Sequence, residues 1–469
     1  MKYSTRFSLI FLGIIPFNPT PGQGLKHQLS LRQALDSGFI HFELIKNKKN
    51  IENSRFESIK TVQSEYLPDL SFSSQQDYGT VNSSFGPFYS FRGASISSSG
   101  PARFTSSWNA AFGALYLTNF QWDFFAFGKS KQKIKLTRQL YYSSKSDYDQ
   151  TVFEQNIKIS AAYFNLLAAQ SLLKSQKANL GRALQVRKVV VSRVRSGLNP
   201  GVDSSITNAQ VSNARFLILT ADQTVNDYQN ILNLLMGVRP QKFELDTLFE
   251  SSIPKILDTL NTNLAKHPTL LYYNSLIQIR NQNIFYLKKT ELPVFTFFSI
   301  FQSRGSGFRN TYGDAHPQDF SPNYFTGINP VRDNYLIGLG VFWNFTNTLR
   351  VHHQIREEQY LVESLENNYN LAEAELKGGQ NLSNQRINNA RKQYQEGPIQ
   401  VEAASKAYLQ KLVLFKNGLS SIVDVSQTLF ALNQAETQLA ISYNNVWTAL
   451  LLKSASNGEF DQFLNQVPQ

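Results

Sequence analysis

No cysteine occurs in the 469 residues. Disulfides and thiolate metal sites are therefore excluded, and so is the lipid-modified cysteine of a lipoprotein. Long apolar runs are missing as well. Past residue 24, no segment approaches the roughly 20 apolar residues of a membrane helix, so if the chain spans a bilayer it must do so with strands closed into a barrel. Six histidines, at 27, 41, 267, 316, 352 and 353, form no HExxH or other ligand spacing. No Ser/His/Asp set or carboxylate pair stands out, and Gly305-Ser306-Gly307 is at most a fragment of a phosphate loop. The residues thus imply no enzyme, resident metal or cofactor. Lys plus Arg is 46 against 34 for Asp plus Glu, a net charge of +12. On a chain this size, that excess reads as a solvated basic surface rather than a nucleic-acid footprint.

What the chain has is a repeat. Arg195 to Asp203, Arg-Ser-Gly-Leu-Asn-Pro-Gly-Val-Asp, returns as Lys416 to Asp424, Lys-Asn-Gly-Leu-Ser-Ser-Ile-Val-Asp. The 221 residues that separate Gly197 from Gly418 also separate Leu198 from Leu419, Val202 from Val423, and Asp203 from Asp424. Trp122 and Trp343, Phe124 and Phe345, Lys129 and Arg350, Ala214 and Ala435, and Gly237 and Gly458 follow the same spacing. A long repeat without a gap implies a rigid element. Between Lys129 and Ser196 there is no proline and only one glycine, Gly181, while Ile157, Ala161, Phe164 and Ala168 recur on one helical face. At about 1.5 Å per residue, such a helix is roughly 100 Å long. Gly197 and Gly418 suit left-handed C-terminal caps, and Asp203 and Asp424 suit the N-caps of returning helices. Each motif reads as the tip of a long antiparallel hairpin.

Lys2 and Arg6 precede the apolar run Phe7 to Phe17, so residues 1–24 read as a secretory signal cleaved after Gly24. The first repeat, 25–237, holds a helix, strands at about 67–78 and 108–125, and a hairpin with its tip at 195–203. Leu67-Pro68 ends the helix, and residues 79–107 read as an exposed loop. From Trp108 to Phe124, an aromatic and apolar face alternates with a small or polar one, over a length well beyond an ordinary strand. An inter-repeat segment, 238–266, leads to the second repeat, 267–458. Its strands fall at about 293–303 and 335–346, and its hairpin tip at 416–424. The long helix from Leu349 to Asn417 is expected to break or kink at Gly378-Gly379 and Gly397-Pro398. Residues 459–469 form a polar tail. Pro68 and Pro293 lie 225 residues apart, four more than the tryptophans, which places the length difference between the strands of each hairpin, where insertions are tolerated.

Four strands cannot close a barrel around a bilayer-spanning interior, because single bacterial chains need at least about eight. An open edge in lipid would leave backbone groups unpaired, so several chains must share one wall. Long apolar helix faces demand neighbours too.

Two rounds of helix, strand, loop, strand and long hairpin, with Trp122-Asp123-Phe124 running into Gly128-Lys129 and a Gly-Leu-x-x-x-Val-Asp tip in both halves, resemble the TolC-like family of outer-membrane efflux proteins. The resemblance extends from about Leu29 to Gly458. It implies a mixed α/β membrane protein with four strands per protomer in a trimeric 12-stranded barrel, continued by an α-helical tunnel across the periplasm. The implied partners are two further copies of the chain, a periplasmic adaptor, an inner-membrane transporter of RND or ABC type, and outer-membrane lipid. The implied role is passive export. By the same resemblance, Asp424 belongs to the constriction at the inner tunnel end. Phe415, Ser420 and Gln427 stand where better-known members carry tyrosine, arginine and a second aspartate. That substitution implies fewer charged latches. Gly197, Leu198, Val202, Asp203, Gly418, Leu419 and Val423 are the implied adaptor contacts. The rival readings are a periplasmic coiled-coil scaffold without a channel, and an enzyme displayed on the outer loops.

Overall fold

The structure, a computed structural model, describes residues 28–83, 102–246 and 263–467, with Phe249 and Pro254. The expected signal at 1–24, most of the 79–107 loop and much of the inter-repeat segment lie outside the described residues. The chain opens with β1 (Gln28–Leu29), α1 (Leu31–His41) and α2 (Glu43–Ser64). Two long strands follow, β2 (Asp69–Thr80) and β3 (Ala110–Phe125), then the hairpin α3 (Lys129–Arg195) and α4 (Gly201–Met236). After β4 (Glu244–Leu245), the second round is α5 (Pro268–Thr290), β5 (Val294–Ser306), the short α6 (Tyr324–Ile328), β6 (Pro330–Phe342), α7 (Asn347–Lys416) and α8 (Ile422–Asn457). A last turn, α9 (Phe460–Leu464), folds back on α8.

The repeat is exact in its returning helices. Both returning helices have 36 residues and both stop at a left-handed glycine, Gly237 with φ 68° and Gly458 with φ 75°. Helix α3 runs 67 residues unbroken, about 100 Å, as a chain without internal proline should. Helix α7 runs 70 residues without the expected breaks. Its glycines serve close packing instead. A Cβ on Gly379 would lie 2.6 Å from Ser456 Oγ, and one on Gly397 2.8 Å from Leu439 Cδ1, so both let α8 approach. Pro398 sits inside the helix without ending it, its local cost offset by packing such as the edge-on contact of Tyr394 with Tyr443, 5.0 Å between centroids.

β2, β3, β5 and β6 form one antiparallel sheet in that order. Residues directly opposite share a face, and the register sorts the sheet into two faces of different chemistry. One face carries the rows Leu70–Phe120–Ser299–Ile337 and Phe72–Thr118–Phe301–Tyr335. The other carries Ser71–Asn119–Ile300–Leu336 and Ser73–Leu117–Gln302–Asn334. The first is the apolar, lipid-type face. The second is mixed and polar, with Asp123 accepting from Thr296 Oγ1 at 2.6 Å. At the helix end of the sheet, Trp122 Nε1 donates to Tyr66 O at 3.2 Å and Trp343 Nε1 to Glu291 O at 2.9 Å. The two indoles mark the same corner in each repeat, where a ring with one polar end suits a membrane interface. Trp343 and Phe345 fall beyond the end of β6, which starts and stops earlier than the expected 335–346.

Two cores hold the helices. Near the middle of α3, Phe164, Tyr163, Trp447, Phe249 and Phe463 are buried together. Trp447 Nε1 donates to Phe249 O at 3.2 Å, and Tyr163 OH to Leu29 O at 2.9 Å. Burial raises the Tyr163 pKa further above its ordinary range. His267 caps α5 through Nδ1, which accepts from Thr269 N at 3.2 Å, while Nε2 donates to Ala455 O at 2.9 Å. Its burial lowers its pKa and keeps it neutral, the form able to make both bonds. The second core lies at the hairpin tips.

Candidate functional site: the paired hairpin tips

Helix α3 ends at Ser196, and Gly197 follows with φ 70°. Gly197 N donates to Val194 O at 3.0 Å and Leu198 N to Arg193 O at 2.9 Å, the two bonds of a Schellman cap. The second tip repeats it, with Gly418 at φ 76°, Gly418 N to Phe415 O at 3.0 Å and Leu419 N to Leu414 O at 2.9 Å. Leu198, Val202, Leu419 and Val423 project from the two tips and are all more than half exposed. They make an apolar end surface of equivalent residues.

The aspartates are not N-caps. Pro200 and Ser421 hold those positions, with Ser421 Oγ accepting from Asp424 N at 3.2 Å. Each aspartate is the third residue of its helix, where a carboxylate meets the positive helix end. There it accepts a bond from the residue four before it. Asn199 Nδ2 donates to Asp203 Oδ2 at 2.7 Å, and Ser420 Oγ to Asp424 Oδ2 at 2.7 Å. Asn199 and Ser420 are themselves repeat partners. The two carboxylates then diverge: Asp203 is 9% exposed, while Asp424 remains partly open with Lys411 Nζ at 3.4 Å. The Ser420 hydroxyl and then the Lys411 ammonium hold the Asp424 carboxyl below its ordinary range.

Phe415 does not face an opening. It is 1% exposed, inside the tip core with Val186, Val190, Ile422 and Val425, so its ring belongs to the packing between hairpins. Ser420 is partly exposed and Gln427 exposed.

Three residues not singled out from the sequence join the hairpins. Arg193 places its guanidinium over the Phe415 ring at 5.4 Å, donates from Nη1 to Lys416 O at 2.9 Å and from Nε to Asn199 Oδ1 at 2.7 Å. Further along, Arg182 of α3 makes a forked pair with Glu436 of α8, at 3.1 and 2.6 Å. Arg193 and Arg182 have no repeat counterpart of the same type, and the absence of symmetry was the only signal they offered. Replacing Arg193 with Ala is expected to cost about 1–2 kcal/mol in local opening of the tip. Faster hydrogen exchange at 413–420 with unchanged exchange near Trp447 would show it, and unchanged exchange at both would assign the bond no role.

The sequence profile of the outer membrane efflux protein family matches residues 48–238. No curated protein matches the chain. Among solved structures, the outer membrane protein VceC of Vibrio cholerae superposes with a TM-score of 0.70 at 14% identity, over 92% of this chain and 96% of VceC. The CmeC outer membrane channel of Campylobacter jejuni gives 0.72 at 13% identity, over 91% and 85%. The open state of the Neisseria gonorrhoeae MtrE outer membrane channel gives 0.69 at 13%, over 92% and 89%. The fold, a four-stranded sheet joined to two long helical hairpins, is the one these outer-membrane channels share, and residues 48–238 are similar to the outer membrane efflux protein family.

Proposed function

We propose that three copies of this chain form the passive exit duct of a tripartite efflux or type I secretion assembly. The sheet carries the reading: among the described residues β2 and β6 each have one neighbour only, leaving two bare edges beside an apolar face. In lipid, those edges need strands from another copy. An RND or ABC pump supplies the energy, and an adaptor seats on Gly197, Leu198, Val202, Gly418, Leu419 and Val423. Asp203 is excluded from that contact by its burial.

At the inner end, Asp424 is the constriction's charged group, with Ser420 and Gln427 beside it. Three carboxylates around an axis focus a negative potential. Detergent-extracted protein is expected to have the mass of three chains, corrected for bound detergent, and to give a small, stable conductance in a planar bilayer. A monomer without conductance would refute the duct. Asp424→Asn is expected to reduce cation preference several-fold. Because the carboxyl is held below its ordinary range, the wild-type preference should persist as pH falls through that range and fade only below it. Equal selectivity in both proteins would leave Asp424 as a helix-end contact.

A further inference from the structure

A line of cations runs down α3 from the helix end of the sheet. Lys131, Lys135 and Arg138 follow one another at helical spacing, all exposed, and the line continues through Tyr142 to Lys145 before Asp149 ends it. Handedness fixes its side. Seen from these cations with the sheet uppermost, the right-handed α3 runs downward with α5 on the left, where Gln132 accepts from Gln282 at 2.8 Å, and α2 on the right, where the Tyr141 ring lies 5.6 Å from that of Phe56. The sheet has the same order when seen from its apolar face. Phe112 lies on that face, β3 runs downward, and Phe112 O accepts from Gly307 N at 2.8 Å, which puts β5 on the left. The cations are therefore on the apolar side. The corner between strand and helix is lined by rings on that side too. Phe127, at φ 48° the one non-glycine residue with positive φ among the described residues, sets its ring 4.7 Å from Phe125 and 6.1 Å from Phe295 of the apolar face.

The repeat carries the same arrangement into α7. Lys129, Lys131 and Lys135 have Arg350, His352 and Arg356 as counterparts at the 221-residue spacing, and all three of the latter are exposed. From α5, Lys288 joins them, with its Nζ 6.0 Å from the centroid of the exposed Phe285 ring. Among the described residues, none of Lys131, Lys135, Arg138, Lys288 and Arg356 pairs with a carboxylate. The nearby acids are engaged elsewhere: Glu57 with Lys60 at 2.8 Å, Glu358 with Arg280 at 3.5 Å, and Asp123 with Thr296 on the polar face. Helices α3 and α7 also begin with no acidic residue in the first turn and no side-chain cap, so their positive ends add to the cations instead of being offset. Both start at the sheet, and helical side chains lean toward the N-terminus, which tilts these cations up toward the rings. At about 1.5 Å per residue, Lys131 and Lys135 hang within roughly 10 Å of the corner, near enough for their stems to reach it. Unpaired cations directly below an aromatic corner, on the side of the apolar face, match anionic headgroups whose acyl chains lie against the strands above.

We propose that this belt binds the phosphodiester headgroups of anionic glycerophospholipids in the periplasmic leaflet, an inference that rests on the reading of the sheet as a membrane wall. The test uses the full-length detergent-extracted trimer, equilibrated with mixed micelles holding equal amounts of phosphatidylglycerol and phosphatidylcholine and then weighed by native mass spectrometry. Wild type should retain phosphatidylglycerol about tenfold over phosphatidylcholine. The triple variant Lys131→Gln, Lys135→Gln, Arg356→Gln should bring that ratio to within about twofold of unity. Lys174→Gln, Lys177→Gln, Lys188→Gln removes the same charge from exposed positions farther down α3 and should keep the wild-type ratio. Conductance of the same samples separates the two readings: a conducting wild-type trimer with no lipid preference overturns the belt, whereas a monomer without conductance refutes the channel itself. An equal loss in both triple variants would reduce the effect to net charge and overturn the site. Cosedimentation with purified peptidoglycan that the first triple variant loses, while its lipid retention stays at the wild-type level, would assign the cations to the wall polymer instead.

Discussion

Gly237→Val is expected to destabilise the protein by about 2–5 kcal/mol. Two costs add. Gly237 has φ 68°, where a β-branched side chain is strained by about 1–2 kcal/mol. Its Cβ would also lie 2.7 Å from both C and O of His41 and 2.9 Å from Phe42 N. These are backbone atoms at the junction of α1 and α2, and they cannot swing away as a side-chain end would. Gly197→Val is the control: its φ is 70°, but nothing lies within 4 Å of the added Cβ. Only the conformational cost remains there, about 1–2 kcal/mol. Denaturant midpoints followed by helical circular dichroism should rank wild type, Gly197→Val and Gly237→Val in that order. Equal losses in the two variants would show that the approach of α1 to α4 yields to a side chain.

Ile337→Arg should all but abolish assembly in the membrane, because Ile337 sits midway along the apolar face of β6, opposite Ser299 and between Tyr335 and Leu339 on the same strand face. An arginine at the bilayer midplane of a barrel costs about 2–4 kcal/mol, and a trimer bears it three times. Asn334→Arg, on the same strand but the opposite face, should assemble and change conductance instead. The outer-membrane content of both variants, by fractionation, decides it. Comparable recovery of the two would mean that the faces have been assigned the wrong way round.

The architecture was legible because it repeats and because its elements are long. A 67-residue helix leaves little choice of period, and a strand alternating from Trp108 to Phe124 names its own faces. The caps were legible for the same reason: Gly197 and Gly418 occupy equal places and both adopt the left-handed backbone. Gly379 and Gly397 misled, since local propensity alone cannot separate a glycine that breaks a helix from one that admits a neighbouring helix. The tip illustrates the remaining limit. Phe415 looked like a pore residue from its place beside Gly418, yet which side of α7 faces the other hairpin is set by tertiary packing. Arg193 reaches Lys416 across 223 residues, a pairing that no local pattern encodes.

The repeat has a last consequence at the hairpin tips. In the trimer proposed above, three protomers present six tips, alike in backbone, in their glycine caps and in their exposed leucine and valine pairs. Their carboxylates are not alike, for Asp203 is enclosed and Asp424 partly open. A ring docking here therefore meets sixfold shape and threefold charge. A partner that reads only the apolar contour finds six equal seats, while one that reads charge finds three, and the same tips accommodate both kinds of counting.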